Sequence, residues 1–110
     1  MTIAPEKLGP LVRAYNRVVA ERGVYIYAIQ AGEGGPIKIG QTNDPATRLK
    51  TLQTGNAETL IGLAAWRALP IDEKLLHEEF AHLRIRGEWF EPDPELIDHV
   101  MLVFCDWETA

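Results

Sequence analysis

Eleven residues from Lys38 to Arg48, Lys-Ile-Gly-Gln-Thr-Asn-Asp-Pro-Ala-Thr-Arg, bring a cation, a bare glycine and a helix start to one place. Strand alternation puts Lys38 and Gly40 on one face and Ile37 and Ile39 on the other. Asp44 is a good N-cap, and Pro45 suits the first helical position, where its missing N–H has no intrahelical partner. Arg48 then falls one turn into the helix, near the mouth of the strand. Such a convergence can receive a phosphate; it also suits an ordinary strand-to-helix joint with surface charges. Farther along, Glu73 and His77 stand four apart, so they share one helix face. His77 could orient a water there, or be a helix-surface residue.

Several elements must position these groups. Gly9-Pro10 reads as a cap and first helical residue. Leu11, Val12, Tyr15, Val18 and Val19 follow at helical spacing to about Arg22, giving a helix expected to pack on the core. Pro5 to Leu8 would be a separate turn, since Pro10 breaks a continuous helix. Arg13, Arg17 and Arg22 could instead contact phosphates. Gly23 suits a left-handed helix end and opens a strand. That strand alternates Val24, Ile26 and Ala28 with Tyr25, Tyr27 and Ile29. If it pairs antiparallel with Ile37–Gly40, Tyr25 and Tyr27 share a face with Lys38 and Gly40; strand propensity alone accounts for Tyr27. The glycine-rich loop from Ala31 to Pro36 lacks the Lys-Ser/Thr and the strand-to-helix setting of a phosphate cradle.

A second helix is expected from Pro45 to about Thr54, with Leu49 and Leu52 inward, and a buried strand within Thr59–Leu69. The third helix starts at Pro70, with Ile71, Leu75, Leu76, Phe80 and Leu83 as its buried stripe. Arg84-Ile85-Arg86-Gly87 reads as a basic turn, and Trp89 with Phe90 as an aromatic anchor under the sheet. Asp93-Pro94 caps a last helix whose apolar face carries Ile97, Val100, Met101 and Phe104.

The chain has 110 residues, a net charge of −5 and one cysteine, Cys105. That suits a single domain without an intrachain disulfide or a cysteine-based zinc site. No apolar run approaches the ~20 residues of a membrane span, and the first residues lack a secretory pattern, so a cytoplasmic location is the default expectation. The negative charge argues against a nucleic-acid partner until its distribution is read. Seven of the sixteen acidic residues, and none of the eleven Lys and Arg, lie from Gly87 onward.

Gly23-Val24-Tyr25 and Lys38-Ile39-Gly40, taken in order, resemble the paired signature of the GIY-YIG nuclease superfamily. Lysine in the second tyrosine's place is similar to a phage and bacterial branch. Gly40-Gln41-Thr42, Asp44-Pro45, Arg48-Leu49, Leu52 to Asn56, Glu73 with Leu76-His77 and Phe80, and Gly87 to Phe90 agree. The resemblance implies an α/β fold: a small, mainly antiparallel three-stranded sheet flanked by helices. It divides the chain into an N-terminal helical extension (1–22), a core (23–91) and an acidic C-terminal helix (92–110).

The activity implied is metal-dependent cleavage of nucleic-acid phosphodiesters, with DNA preferred to RNA. By resemblance Tyr25 takes the base or nucleophile-positioning role, Arg48 binds the phosphate, and Glu73 holds a single Mg²⁺ or Mn²⁺. Lys38 adds a cation in the catalytic group with His77, while Gly40, Thr42, Arg84 and Arg86 line the substrate path. The asparagine that many members carry after the glutamate helix has no clear counterpart; Glu88 or Glu91 fills that stretch. The alternatives are a non-catalytic nucleic-acid- or protein-binding module on this fold, and a structural domain whose acidic tail docks on a basic partner. Oligomeric state is left open.

Overall fold

The computed structural model describes residues 5–103. Helix α1 (Pro5–Arg22) leads into a hairpin of β1 (Val24–Ala31) and β2 (Ile37–Thr42). Helix α2 (Pro45–Thr54), strand β3 (Leu60–Ala68) and helix α3 (Pro70–Glu79) follow. A 3-10 turn (Ala81–Leu83), a short hairpin of β4 (Arg84–Arg86) and β5 (Trp89–Phe90), and helix α4 (Pro94–Val103) complete the chain. The strands form one antiparallel sheet in the order β3-β1-β2-β5-β4. Its three long strands, β3, β1 and β2, are those expected. The added pair, β5 and β4, brings the number to five. Three and two residues are too few to show an alternating pattern, so the basic turn and the aromatic anchor both turn out to be strand.

Alternation builds a core on each face of the sheet. On one face Ile26, Ala28, Ile37, Ile39, Ala64 and Phe90 pack against Leu76, Phe80, Leu96 and Val100, carried on and after α3 and along α4. On the other, Tyr27, Ile29, Leu60 and Ala65 are covered by Leu49 and Leu52 of α2. Full burial of each such aliphatic side chain contributes about 1.5–3 kcal/mol, so the sheet is clamped from both sides. α2 starts where the local chemistry dictates: the Thr47 N–H and hydroxyl donate to the two Asp44 carboxylate oxygens at 3.2 and 2.8 Å.

The structure corrects the reading of α1. It runs through Pro10 as one helix, because the proline is exposed and the carbonyl it leaves without an intrahelical donor can be hydrated. Its stripe is not core: Val19 is buried, whereas Leu11 is 67% exposed and Val12, Tyr15 and Val18 are exposed as well. α1 is tied down by polar contacts instead. The Tyr15 hydroxyl donates to Asp72 Oδ2 at 2.8 Å, and the same oxygen accepts the Leu69 N–H at the start of α3. Gly23 does not take a left-handed conformation. Its N–H reaches Val19 O at 2.7 Å, and a side chain there would collide with that carbonyl; close approach is what requires glycine.

Two other stripes are narrower than expected. On α3, Leu76 and the following Phe80 are buried but Ile71 and Leu75 are exposed, since the helix ends at Glu79 and presents only one edge to the sheet. On α4, Leu96 and Val100 are buried, Ile97 packs beside them and Met101 is exposed; Phe104 lies outside the described residues.

Candidate functional site

The site is built around Gly40. The hairpin register pairs Tyr25 with Thr42, Tyr27 with Gly40 and Ile29 with Lys38, so these six side-chain positions share one face. Tyr27, not Tyr25, therefore stands directly across from the glycine. A Cβ on residue 40 would lie 2.5 Å from Tyr27 Oη, 2.7 Å from its Cζ and 3.0 Å from Glu88 Oε1. The bare glycine lets the Tyr27 phenol reach across β2 toward Glu88. Gly40→Ala must displace the buried Tyr27 phenol, and we expect a loss of about 1–3 kcal/mol in urea denaturation; a variant as stable as the wild type would show that the phenol does not need this space.

Lys38 is held from two sides by the strand beyond it. Its Nζ lies 3.2 Å from Glu88 Oε1, with the lysine side chain 18% exposed. It also lies 5.4 Å from the centroid of the Trp89 ring, its cross-strand neighbour. The ammonium is thus fixed by an ion pair and a ring face.

α3 brings Glu73 and His77 to the same edge. Ile39 donates its N–H to the Glu88 carbonyl and accepts at its own carbonyl from His77 Nε2, each at 2.9 Å. A carbonyl only accepts, so Nε2 carries the proton. β5 begins only at Trp89, and the imidazole completes the ladder where the strand does not. His77 also meets the Phe90 ring edge-on at 5.0 Å. Glu73 Oε1 lies 3.6 Å from His77 Nε2, in a side chain 13% exposed.

The electrostatics agree with this crowding. Burial, then the Glu88 charge, holds the Glu73 carboxyl above its ordinary 4.5, opposed by His77 and Lys38. Burial pushes the Tyr27 phenol up to about 12; the Glu88 and Glu73 charges add to the rise and Arg48 opposes it. Tyr27 is a neutral phenol at physiological pH.

Two open grooves meet beside these residues. One, of about 760 Å³, is lined by Val24, Thr42, Asp44, Thr47 and Arg48; the other, of about 430 Å³, by Glu73, His77, Ala81 and Arg84. Gln41 and Pro70 belong to both, so the path is continuous from Arg48 past Glu73 to Arg84. Thr42 also shapes its turn, its Oγ1 accepting the Asp44 N–H at 3.2 Å.

Of the residues expected at the site, Lys38, Gly40, Thr42, Arg48, Glu73, His77 and Arg84 gather around β2 and these grooves. Arg86 does not: it lines a separate hollow with Pro36, Ile85 and Trp89. Tyr25 lies under the Arg67 guanidinium, 5.2 Å from its ring centroid, and like Tyr27 it lines neither groove. Tyr27 and Glu88 are the additions, and for Glu88 the sequence offered a motif position without a chemical role.

Among the described residues no group of three or more His, Cys, Asp or Glu converges as a metal cage. Glu73 offers hard carboxylate oxygens, while Nε2 of His77 is committed to a backbone carbonyl. Such a set fits Mg²⁺ or Mn²⁺ held by Glu73 and waters, and does not fit a closed zinc site. Among the described residues no helix is long and apolar enough to cross a membrane.

The T5orf172 domain family model matches residues 22–105. No curated protein matches the chain, and no solved structure does. The chain belongs to the T5orf172 domain family, a family related to the GIY-YIG domains.

Proposed function

We propose that this T5orf172-domain chain is a divalent-metal-dependent endonuclease that hydrolyses nucleic-acid phosphodiesters, with DNA as the expected substrate. The observation that carries the reading is the convergence of Tyr27, Lys38, Glu88 and Glu73 about Gly40, where a groove with cations at both ends passes a half-buried carboxylate.

Each residue has a role that its geometry supports. Arg48 and Arg84 bind the strand on either side of the scissile phosphate, and Arg48 offers the planar fork that phosphate oxygens match. In the free protein the Lys38 ammonium is paired with Glu88; an incoming phosphate competes for it and takes its charge. The attacking water loses its proton to Tyr27 Oη as the phenol passes its own to the released Glu88 carboxylate. A new P–O bond forms, the old ester P–O bond breaks, and the leaving oxygen takes a proton from solvent. A phenol near 12 suits a relay better than a resting phenolate. Mg²⁺ or Mn²⁺ held at Glu73 would supply Lewis-acid stabilisation of the charge developing on the phosphoryl and leaving oxygens.

A second reading rests on the same geometry. Tyr27 is 1% exposed and Lys38 is already paired, which suits a module that grips nucleic acid without cutting it. The two separate when plasmid and single-stranded DNA are incubated with and without Mn²⁺ and the ends analysed. Binding without new ends would remove the nuclease reading. Within that reading, Arg48→Ala and Arg48→Lys both lower cleavage, by roughly 10- to 100-fold for the loss of a charge-assisted bidentate contact of about 1.5–3 kcal/mol. Full activity in Arg48→Ala would take this residue out of the site.

A further inference from the structure

Resting on the nuclease reading, we infer that Arg67, seated on the ring of Tyr25, is a second phosphate-binding point that holds the nucleic-acid strand beyond the catalytic groove. The placement comes from register. Thr42 lines the groove; its cross-strand neighbour is Tyr25, whose neighbour on the other side is Arg67. Directly paired residues point to the same face, so Thr42, Tyr25 and Arg67 form a row across β2, β1 and β3. Two strand spacings separate its ends, about 10 Å.

Arg67 is built to present a fork. Its guanidinium lies 5.2 Å from the Tyr25 ring centroid, and one of its N–H groups donates to Val19 O at 2.8 Å. Those two contacts set the plane of the group and engage one of its five N–H donors. The residue is exposed. Among the described residues, no carboxylate forms an ion pair with it. An oriented guanidinium without a counter-ion, on the face that leads into the groove, matches the planar geometry of phosphate oxygens. The ring beneath it serves as a shelf for the cation, which argues for a phosphate here instead of a stacked base.

Capping α1 is the competing explanation, since Val19 O belongs to the last turn of that helix and a cation there is favourable. It uses the same hydrogen bond but predicts no dependence on nucleic acid. The test is fluorescence anisotropy of a labelled single-stranded DNA oligonucleotide with the full chain in EDTA, from about 50 to 200 mM salt. Arg67→Gln is expected to weaken binding about three- to tenfold and to lower the slope of log K against log salt by about 0.7, the single-strand value for one phosphate. Tyr25→Leu, which removes the shelf and keeps the charge, should weaken binding less and leave the slope unchanged. In the wild type, the Arg67 Nε–H NMR signal should shift on titration with the same oligonucleotide, a readout that survives if a variant fails to fold. A lowered melting temperature for Arg67→Gln with unchanged affinity and slope, or an unshifted Nε–H signal, would leave Arg67 as a helix cap and overturn the inference. A wild type that binds no nucleic acid would overturn the nuclease reading as well. Binding that depends on Arg48 and not on Arg67 would overturn only this one.

Discussion

Glu73→Gln abolishes cleavage while leaving the fold and metal-free nucleic-acid affinity in place. Lewis-acid stabilisation is worth several kcal/mol in the transition state, so we expect a fall of roughly 10³-fold or more. Glutamine keeps the shape of the side chain and loses the charge that a hard cation needs. The same substitution has a thermodynamic signature that needs no substrate. In the metal-free protein the Glu73 carboxyl sits above its ordinary 4.5, through burial first and the neighbouring Glu88 charge second. A carboxyl raised on folding favours the protonated native state. Its contribution to stability is therefore fully present below about 4.5 and lost as pH rises through the raised pKa. Glutamine does not titrate, so Glu73→Gln gains stability relative to the wild type across that window and then levels off. Urea denaturation at a series of pH values reads this directly. Mn²⁺ should stabilise the wild type and not the variant at neutral pH. Parallel stability profiles with pH would contradict the charge crowding at Glu73, and equal Mn²⁺ effects on the two proteins would remove the metal site.

Tyr27→Phe should reduce cleavage by about 10²-fold or more, the usual worth of a positioned proton-transfer group, while Tyr25→Phe keeps most of the activity. Phenylalanine preserves the ring in both cases, so the comparison isolates the hydroxyl. Because the Tyr27 phenol lies near 12, the pH profile of cleavage near neutrality should show no inflection that disappears in Tyr27→Phe. Lys38→Arg should retain partial activity and Lys38→Met little, because the ammonium acts as a charge shared between Glu88 and the phosphate. Loss in Tyr25→Phe with activity kept in Tyr27→Phe would return the base or relay role to the first tyrosine. It would mean that the cross-strand position opposite Gly40 is not where water is activated.

That choice between two tyrosines marks the boundary of what the chain discloses locally. Asp44, Pro45 and Thr47 determine the start of α2 by themselves, since an N-cap is a contact between residues three apart and needs nothing from the rest of the molecule. The alternation of Val24 to Ile29 likewise determines that Tyr25 and Tyr27 share one face of their strand. It cannot rank them: residues two apart have the same periodicity, and only the register of β1 on β2 decides which one lies across the glycine. Glu88 becomes legible for the same reason only in three dimensions, because a two-residue strand carries no pattern and its partner Lys38 is fifty residues away. α1 fails in the opposite sense. Its apolar spacing states which face would be buried if something covered it, but burial depends on a neighbouring surface that no helical period encodes, and here α3 meets it through Tyr15 and Asp72. Local hydrogen bonding and side-chain alternation were determined by the sequence; register, edge pairing and cover were decided by tertiary structure, because each depends on contacts between segments that sequence spacing does not relate.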